Sequence, residues 1–354
     1  MRSCVGFKER AVTVVAAAGL SVATLAVVPP ASQAEPTTCL SANLTTGDVA
    51  SSDLQAVIDA ASPGYTIQVE GVCVGGFVVN KDLELLGQPT PGSPQPTLDG
   101  NAASRVIRIR GGIEADVTIT DLTITNGLSH RGGGIHIRYA NLTLNGSASV
   151  VGNVARRRGS RGGGVYVYRG TVTLNDSSSI AGNTSRSFYY GHGGGLYNTG
   201  GNVTLNDSSS VAGNLSGGDA GGIFSIPGDA TSYPAAVALN DSSTVAGNTA
   251  SYDGGGIGNA GGTVTLSGSS SVTGNTAHTD VGASYGGGIY NNGGWVTLRD
   301  SSSVTGNTAS AGGAVYITQG AVVACDSNGT HEWTGALSPN TPDDPPTPIL
   351  FTCA

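Results

Sequence analysis

One position of a repeat of about thirty residues carries side chains that can do chemistry. It lies four residues before an aliphatic residue that follows a run of glycines. Successive repeats place there Arg131, Arg161, His192, Asp219, Asp253, Tyr285 and Ala311. A purely structural turn tends to repeat one small residue, whereas Arg, His, Asp and Tyr recognise or process sugars and acids. We therefore interpret these seven positions, called the polar column below, as the candidate site.

Two carboxylates follow one another in the polar column. If adjacent repeats stack as strands about 4.8 Å apart, Asp219 and Asp253 are close enough to act as general acid and base, or to clamp a cation. His192 stands between the arginines and these carboxylates. The three are the predicted catalytic residues if the protein is an enzyme. The alternative is an irregular turn that splays the carboxylates apart.

A second set of residues is predicted to bind a ligand. Arginine holds carboxylates and sulfates with paired N–H donors, and aromatic rings stack on flat faces such as sugar rings. Both types are frequent in the variable loops before the glycines, and variable loops on a rigid scaffold commonly carry function. The predicted ligand-binding residues are Arg131, Arg156, Arg157, Arg158, Arg161, Arg186, Tyr166, Tyr189, Tyr190, Tyr197 and Tyr285. A solvated charge patch is the alternative for the arginines.

An aromatic rank runs beside the polar column, one residue after each aliphatic position. Its members are His136, Tyr166, Tyr197, Phe224, Gly258, Tyr290 and Tyr316. Because successive side chains of a strand point to opposite faces, we expect these rings to point outward. The alternative to a sugar-binding stripe is simple stacking of the rings between repeats.

The elements that must position these residues follow from three markers that recur together: glycines before an aliphatic residue, a "VTLND" segment and a Gly-Asn pair. Hydrophobic residues alternate with polar or aromatic ones, as in "VYVY", which is the strand signal. Three short strands with turns fit one repeat and return the chain about 4.8 Å from its start. The sequence predicts an all-β fold, a right-handed parallel β-helix with three strands per coil and about nine or ten coils. The asparagines of the Gly-Asn pairs are expected to stack as a ladder.

The chain resembles the right-handed parallel β-helix repeat proteins of the pectin-lyase-like class. Its "GGGI" and "VAGN" segments are similar to the GGA-I and F-x-x-N pairs of polymorphic outer-membrane-protein repeats, over about residues 112–320. The resemblance implies the β-helix fold and is compatible with polysaccharide chemistry. It carries over no catalytic motif, because none of the known pectate lyase or polygalacturonase motifs occurs in the chain.

The ends of the chain predict further segments. Basic residues, an apolar run and small residues before Ala34 are typical of a secretory signal, with an N-terminal membrane anchor as the alternative. A helical face of Leu54, Val57, Ile58 and Ala61, preceded by a capping-box pattern at Ser52 and Gln55, predicts a helix that covers the first coil. The predicted domains are a signal peptide at 1–34, an N-terminal cap with the amphipathic helix at 35–64, the β-helix at 65–324 and a C-terminal cap or tail at 325–354.

Four cysteines remain after the predicted signal. In an exported chain they favour disulfides, with three possible connectivities. Pairing within each end gives Cys39–Cys73 and Cys325–Cys353 as the predicted bridges, one in each cap. No Cys-x-x-Cys spacing indicates a zinc site.

Charge is unevenly distributed. The formal net charge is -8, yet Arg105 to Arg186 holds eleven arginines against four acidic residues. The net negative charge of the whole chain argues against general nucleic-acid binding. No cofactor is predicted. Calcium on Asp176, Asp207 and Asp241 is the alternative to simple turn chemistry for those residues.

Three functions remain open. The first is a secreted, extracellular protein that binds a polysaccharide or cell-surface glycan, with no membrane span in the mature chain. The second is a polysaccharide lyase or glycoside hydrolase that acts on an acidic polysaccharide through the polar column. The third is ice binding or a structural surface role, through a threonine column that Ala238 interrupts: Thr143, Thr173, Thr204, Thr265 and Thr297.

Overall fold

The structure is a computed structural model, and it describes residues 38–48, 50–89, 95–187, 191–228, 233–278 and 282–325, without the side chains of 112–114 and 320–325. These residues form a parallel β-solenoid of about 8 turns, fewer than the nine or ten expected. Three parallel sheets run along it, which confirms the predicted all-β class and three strands per coil. The predicted signal peptide and the predicted C-terminal tail lie outside the described residues.

The first sheet has 16 strands and takes two successive strands from each middle coil. Its strands are β1 (Leu40–Asn43), β2 (Tyr65–Glu70), β4 (Phe77–Val79), β5 (Leu83–Gly87), β7 (Ile107–Thr120), β10 (Ile135–Asn145), β13 (Val165–Tyr168), β14 (Thr171–Leu174), β17 (Leu196–Thr199), β18 (Asn202–Leu205), β21 (Ile223–Ile226), β22 (Ala236–Leu239), β25 (Ile257–Ala260), β26 (Thr263–Leu266), β29 (Ile289–Arg299) and β31 (Val315–Cys325). All of its pairings are parallel except β1 with β2.

The second and third sheets have shorter strands. The second contains β3 (Val72–Val74), β6 (Thr97–Asp99), β8 (Thr123–Thr125), β11 (Ser149–Val151), β15 (Ser179–Ala181), β19 (Ser210–Ala212), β23 (Thr244–Ala246), β27 (Ser271–Thr273) and β30 (Ser303–Thr305). The third contains β9 (Leu128–Ser129), β12 (Val154–Arg156), β16 (Thr184–Arg186), β20 (Leu215–Ser216), β24 (Thr249–Ala250) and β28 (Thr276–Ala277).

The aliphatic residues stack as columns inside the coils. Val165 pairs in register with Leu196, and Leu196 with Ile223. All three are 0% exposed, and they belong to one continuous hydrophobic cluster. Burial of these columns is the main stabilising term, at about 25 cal/mol per Å² of apolar surface.

The glycine runs are required by the close approach of neighbouring coils. Gly162 has φ +62°, and a Cβ there would clash with the carbonyl oxygen of Val165. Gly163 has an ordinary φ, but a Cβ would clash with the carbonyl oxygen of Gly194 in the next coil. The first glycine therefore serves the turn, and the second serves the packing between coils.

A buried asparagine ladder confirms the predicted role of the Gly-Asn pairs. The side-chain amide of Asn183 donates to Oδ1 of Asn214 at 3.0 Å and to the carbonyl oxygen of Val150 at 2.8 Å. Each described member is at most 1% exposed, and the ladder runs through Asn153, Asn183, Asn214, Asn248, Asn275 and Asn307. Buried amides need such partners, because an unpaired one costs about 1–3 kcal/mol.

The aspartates of the "LND" turns bond to another coil instead of closing their own turn. Asp176, Asp207 and Asp241 have positive φ values of 56°, 55° and 55°. The carboxylate of Asp207 accepts the backbone N–H of Asp176 at 2.9 Å, and that of Asp241 accepts the N–H of Asp207 at 3.2 Å. These contacts link successive coils. Among the described residues, no group of three or more His, Cys, Asp or Glu side chains is arranged to hold a metal.

The N-terminal cap contains the predicted helix, α1 (Leu54–Ala60), but with a different cap residue. Asp53 is the N-cap, and its side chain accepts the backbone N–H of Ala56 at 3.0 Å. Gln55 instead bonds the backbone of Val78 in β4, through both its amide nitrogen and its oxygen. Leu54 and Ile58 are buried in the core. Within the described residues, no helix is long and apolar enough to cross a membrane.

The predicted Cys39–Cys73 disulfide is present, with Cα atoms 4.5 Å apart. It joins the segment before β1 to β3 in the first coil. Cys353 and the side chain of Cys325 lie outside the described residues, so the Cys325–Cys353 bridge stays a prediction.

The threonine column of the ice-binding hypothesis is in register but interrupted. Thr204 pairs with Ala238, and Ala238 pairs with Thr265. The adjacent outward rank is mixed, since Thr263 pairs with both Ala236 and the exposed Trp295. This face lacks the regular double rank of hydroxyls that the hypothesis needs.

Candidate functional site

The polar column is formed by residues that lead into the first strand of each coil. Isolated bridges pair Arg131 with Arg161, and Arg161 with His192. The carbonyl of Asp253 accepts the N–H of Ala220, so Asp253 continues the column beyond Asp219. The same pattern extends to Tyr285 and Ala311. Stacking therefore brings the predicted residues together in the order that the repeat gave them.

His192 and Asp219 make two contacts that require opposite roles of one nitrogen. Nδ1 of His192 lies 3.3 Å from Oδ2 of Asp219, and also 3.3 Å from the backbone nitrogen of Asp219. A bare Nδ1 accepts the backbone N–H, whereas a protonated Nδ1 donates to the carboxylate. Whether Nδ1 of His192 carries a hydrogen therefore selects which of the two groups it bonds.

Asp219 and Asp253 are neighbours, and one oxygen of each is used by the backbone of the next coil. Oδ1 of Asp219 accepts the N–H of Asp253 at 3.3 Å, and Oδ1 of Asp253 accepts the N–H of Tyr285 at 2.9 Å. Burial raises the pKa of Asp253 to about 6, the charge of Asp219 adds to this, and the Tyr285 N–H opposes it. The pair thus combines a structural role with one carboxyl group that titrates near neutrality.

The aromatic rank is covered by the polar column, and this corrects one expectation. Arg131 lies 5.5 Å from the centroid of the Tyr166 ring, and Arg161 lies 4.9 Å from that of Tyr197. Both tyrosines are only 3% exposed. Their rings stack on each other at 5.6 Å, which supports the alternative of stacking between coils. The expectation that the Tyr166 and Tyr197 rings are exposed is wrong, because the arginines cover them, and their part in ligand binding stays a prediction.

Further along, side chains of the polar column again lie against rings of the aromatic rank, but Gly258 interrupts the rank. His192 stacks on Phe224 at 4.8 Å, and Tyr285 lies 4.4 Å from Tyr316. Between them the rank has Gly258, where a Cβ would be 3.1 Å from Cδ2 of Phe224. The ring of Phe224 therefore leans over the glycine. In the rank, Gly258 is followed by Tyr290, and the charge of Asp253 contributes to the raised pKa of the Tyr290 phenol, after burial.

Arginines lie in register on adjacent coils in three places. Arg131 pairs with Arg161. Arg156 pairs with Arg186, and Arg110 pairs with Arg138. All of these except Arg161, which is half-buried, are exposed. Backbones of paired strands are about 4.8 Å apart, so like charges face each other along this part of the surface.

The remaining predicted ligand-binding residues divide into two groups. Arg157 and Arg158 are exposed, and the backbone carbonyl of Arg158 contacts Nε2 of His130 at 3.1 Å. Tyr189 and Tyr190 lie outside the described residues, so their part in a site stays a prediction.

Four arginines that the sequence interpretation left out line a cleft beside the polar column: Arg105, Arg108, Arg110 and Arg138. A signal was available in "RVIRIR" and "IHIR", where arginines alternate with isoleucines. The earlier coil lacks the glycine marker, so the repeat alignment did not reach it.

No family model matches the chain, and no curated protein and no solved structure matches it. The resemblance to the pectin-lyase-like class and to outer-membrane-protein repeats therefore stays a prediction, while the structure itself shows the parallel β-solenoid.

Proposed function

We propose that this chain is a secreted β-helix protein that binds an acidic polysaccharide or an acidic cell-surface glycan. The observation that carries the proposal is the set of three arginine pairs in register, Arg110 with Arg138, Arg131 with Arg161 and Arg156 with Arg186. Two guanidinium groups on adjacent coils repel each other, and a carboxylate or sulfate between them turns that repulsion into attraction.

The covered aromatic rank supports the proposal in a different way from the one expected. Tyr166 and Tyr197 hold Arg131 and Arg161 in place from below. Fixed guanidinium groups lose less side-chain freedom when a ligand binds, so preorganisation strengthens binding. The ligand accordingly contacts arginine, not tyrosine, along this stretch.

A panel of neutral, carboxylated and sulfated polysaccharides, scored for binding and for cleavage, tests the proposal. We expect binding to the acidic members that weakens as salt rises, because exposed charges are screened. Replacing both Arg156 and Arg186 with Ala should lower the affinity by about tenfold and flatten the salt dependence. Arg299→Ala is the matched control, because Arg299 is exposed in the acidic part of the chain. Binding only to neutral glycans, or equal losses in the control, would contradict the proposal.

A second candidate is a polysaccharide lyase or glycoside hydrolase, and the raised pKa of Asp253, about 6, favours it. In a hydrolase, one carboxyl group protonates the glycosidic oxygen while the other activates water. In a lyase, a base removes the proton next to a uronate carboxylate, and the glycosidic C–O bond breaks to leave an unsaturated sugar. New reducing ends or unsaturated uronates that vanish in Asp253→Asn, with binding retained, would support this candidate over simple binding.

A further inference from the structure

A basic cleft lies on the outer face of β7 and β10, beside the polar column. Its volume is about 230 Å³, and it is lined by Arg105, Arg108, Ile109, Arg110, His136 and Arg138. Strand pairing creates it, because Arg108 is in register with His136, and Arg110 with Arg138. Ile109 points the other way and is buried in the core, so the basic side chains share one face.

One wall of the cleft is fixed by hydrogen bonds to the backbone. Nε of Arg105 donates to the carbonyl of Gly132 at 3.0 Å. Nη2 of Arg105 donates to the carbonyl of Arg131 at 2.6 Å and to Oγ of Ser129 at 2.8 Å. This guanidinium is therefore rigid, and it contributes positive charge without moving.

The cleft has a large excess of positive charge. None of the described carboxylates forms a salt bridge with Arg105, Arg108, Arg110 or Arg138. Burial lowers the pKa of Arg105 to about 10, and the charge of Arg108 adds to this. Burial followed by the charges of four arginines, Arg105, Arg108, Arg131 and Arg138, lowers the pKa of His136 to about 3. Burial and the charges of these four arginines, of which Arg131 belongs to the polar column, thus keep the His136 imidazole neutral at pH 7.

His136 also carries an unused hydrogen-bonding group. Its Nδ1 is buried and has no partner, while the ring packs edge-on against Tyr166 at 4.9 Å. Buried polar atoms without a partner are uncommon in folded proteins, and each calls for an explanation such as a bound ion. A neutral imidazole offers one N–H donor to such an ion without adding to the repulsion between the arginines.

We propose that this cleft binds a divalent tetrahedral oxyanion, the phosphate or sulfate group, between Arg108, Arg110 and Arg138 with His136 beside it. A carboxylate has one charge and two oxygens, whereas the cleft offers three guanidinium groups on two strands and a fourth, that of Arg105, as its fixed wall. A divalent anion with oxygens in several directions matches both the charge and the number of donors. The group can be a free ion or an ester on a larger molecule, and the cleft recognises the same chemistry in both.

The test is calorimetric titration of the whole protein with inorganic phosphate, inorganic sulfate and acetate at constant ionic strength. We expect phosphate or sulfate to bind and acetate to bind at least about tenfold more weakly. Replacing Arg108 and Arg138 with Gln should weaken phosphate and sulfate binding by about tenfold or more. Arg105 is left unchanged, because its hydrogen bonds hold the local backbone. Arg299→Gln is the control, because Arg299 is exposed and lies in the acidic part of the chain, outside the cleft and the arginine pairs, and this variant should bind as the unmodified protein does.

Circular dichroism of the Arg108→Gln, Arg138→Gln variant checks that it is folded. In the unmodified protein, the NMR signal of His136 should shift on addition of the anion, which locates binding independently of any variant. The proposal is overturned if neither anion shifts this signal, if acetate binds equally well, or if the variant binds like the control.

The source of the group is distinguished by a sulfated oligosaccharide and its desulfated counterpart. Tighter binding of the sulfated chain than of free sulfate supports an ester on a glycan, and the reverse supports a free ion. The cleft shares the Arg110–Arg138 pair with the proposed glycan binding, which this inference deepens. Free phosphate and sulfate test the cleft directly, whereas the Arg156 and Arg186 variant tests glycan binding outside it, so the two proposals can fail separately.

Discussion

The guanidinium of Arg161 lies 4.9 Å from the centroid of the Tyr197 ring, one coil further along the solenoid. Burial raises the pKa of the Tyr197 phenol, and the charge of Arg161 opposes that rise. One side chain therefore covers a ring of the next coil and presents a charge beside it. Substitutions of Arg161 can therefore separate the contribution of packing to protein stability from the contribution of charge.

Arg161→Ala should destabilise the protein by about 1–2 kcal/mol, because it removes both the cation–π contact and the cover of the ring. Arg161→Met keeps the cover and should cost about 0.5–1 kcal/mol. Denaturant midpoints of the two variants, measured side by side, check this. If Arg161→Ala has the same free energy of unfolding as the unmodified protein, then the contact of Arg161 with Tyr197 contributes nothing to stability.

The buried asparagine ladder should be far more sensitive to substitution than the exposed surface. Asn214→Ala removes the side chain that bonds the backbone N–H of Asn183 and the carbonyl of Ile180, and it takes one of two donors from Oδ1 of Asn248. Each buried group that loses its partner costs about 1–3 kcal/mol, so we expect a loss of about 3 kcal/mol or more. Thermal or denaturant unfolding measures the loss.

A matched control exists in a second, half-buried ladder. Asn206 donates to Asn175 at 2.8 Å and accepts from Asn240 at 2.8 Å, but water reaches this ladder. Asn206→Ala should cost about 1 kcal/mol, because water replaces the lost partners. Equal losses at Asn214 and Asn206 would refute the view that burial makes the first ladder strong.

The repeat period was sufficient to predict the fold and the order of the polar column. It fixes which residues share an offset, and strand pairing then stacks them, as with Arg161 and His192. It does not fix how a long side chain leans between coils. The cover of Tyr197 by Arg161 was therefore missed, and so was the Tyr285 N–H that holds Asp253. These contacts depend on the direction of each side chain, and the position of a residue within the repeat does not determine that direction.

The basic cleft was missed for a related reason. Arg108 and His136 share an offset only once β7 is paired with β10, and β7 belongs to a coil without the glycine marker. Gln55 illustrates the opposite error, in which a local pattern predicted a capping box. The side chain instead bonds Val78, a residue distant in sequence, because tertiary contacts outweigh local ones.

Removing the Cys39–Cys73 bridge should loosen the N-terminal cap. A bridge with a sequence separation of 34 stabilises by about 3–4 kcal/mol in the chain-entropy model. The double variant Cys39→Ala, Cys73→Ala should show faster hydrogen exchange in β1 and α1, with little change at the Asn183 ladder. Uniformly faster exchange along the whole chain would contradict a local role for this bridge.

Asp253 should make stability depend on pH in a defined direction. Its pKa is about 6 in the folded protein, against 3.8 for an ordinary carboxyl group. Between pH 4 and pH 6 the folded state therefore holds a proton that the unfolded state releases. The contribution of this group to stability is fully present below about pH 4 and is lost as the pH rises through about 6.

Asp253→Asn removes the titration but keeps an oxygen that accepts the Tyr285 N–H. At pH 7 the variant should be more stable than the unmodified protein by about 1 kcal/mol, a value reduced because Asp253 is only half-buried and water screens it. At pH 4 the advantage should disappear, since Asp253 is then largely protonated in the folded protein. Asp241→Asn is the control, because that carboxylate is exposed and also keeps an acceptor oxygen. Denaturant unfolding of the three proteins at pH 4 and pH 7 measures the differences. If the advantage of Asp253→Asn is the same at both pH values, then Asp253 does not titrate between them, and it is unsuited to the acid–base role that the second candidate function requires.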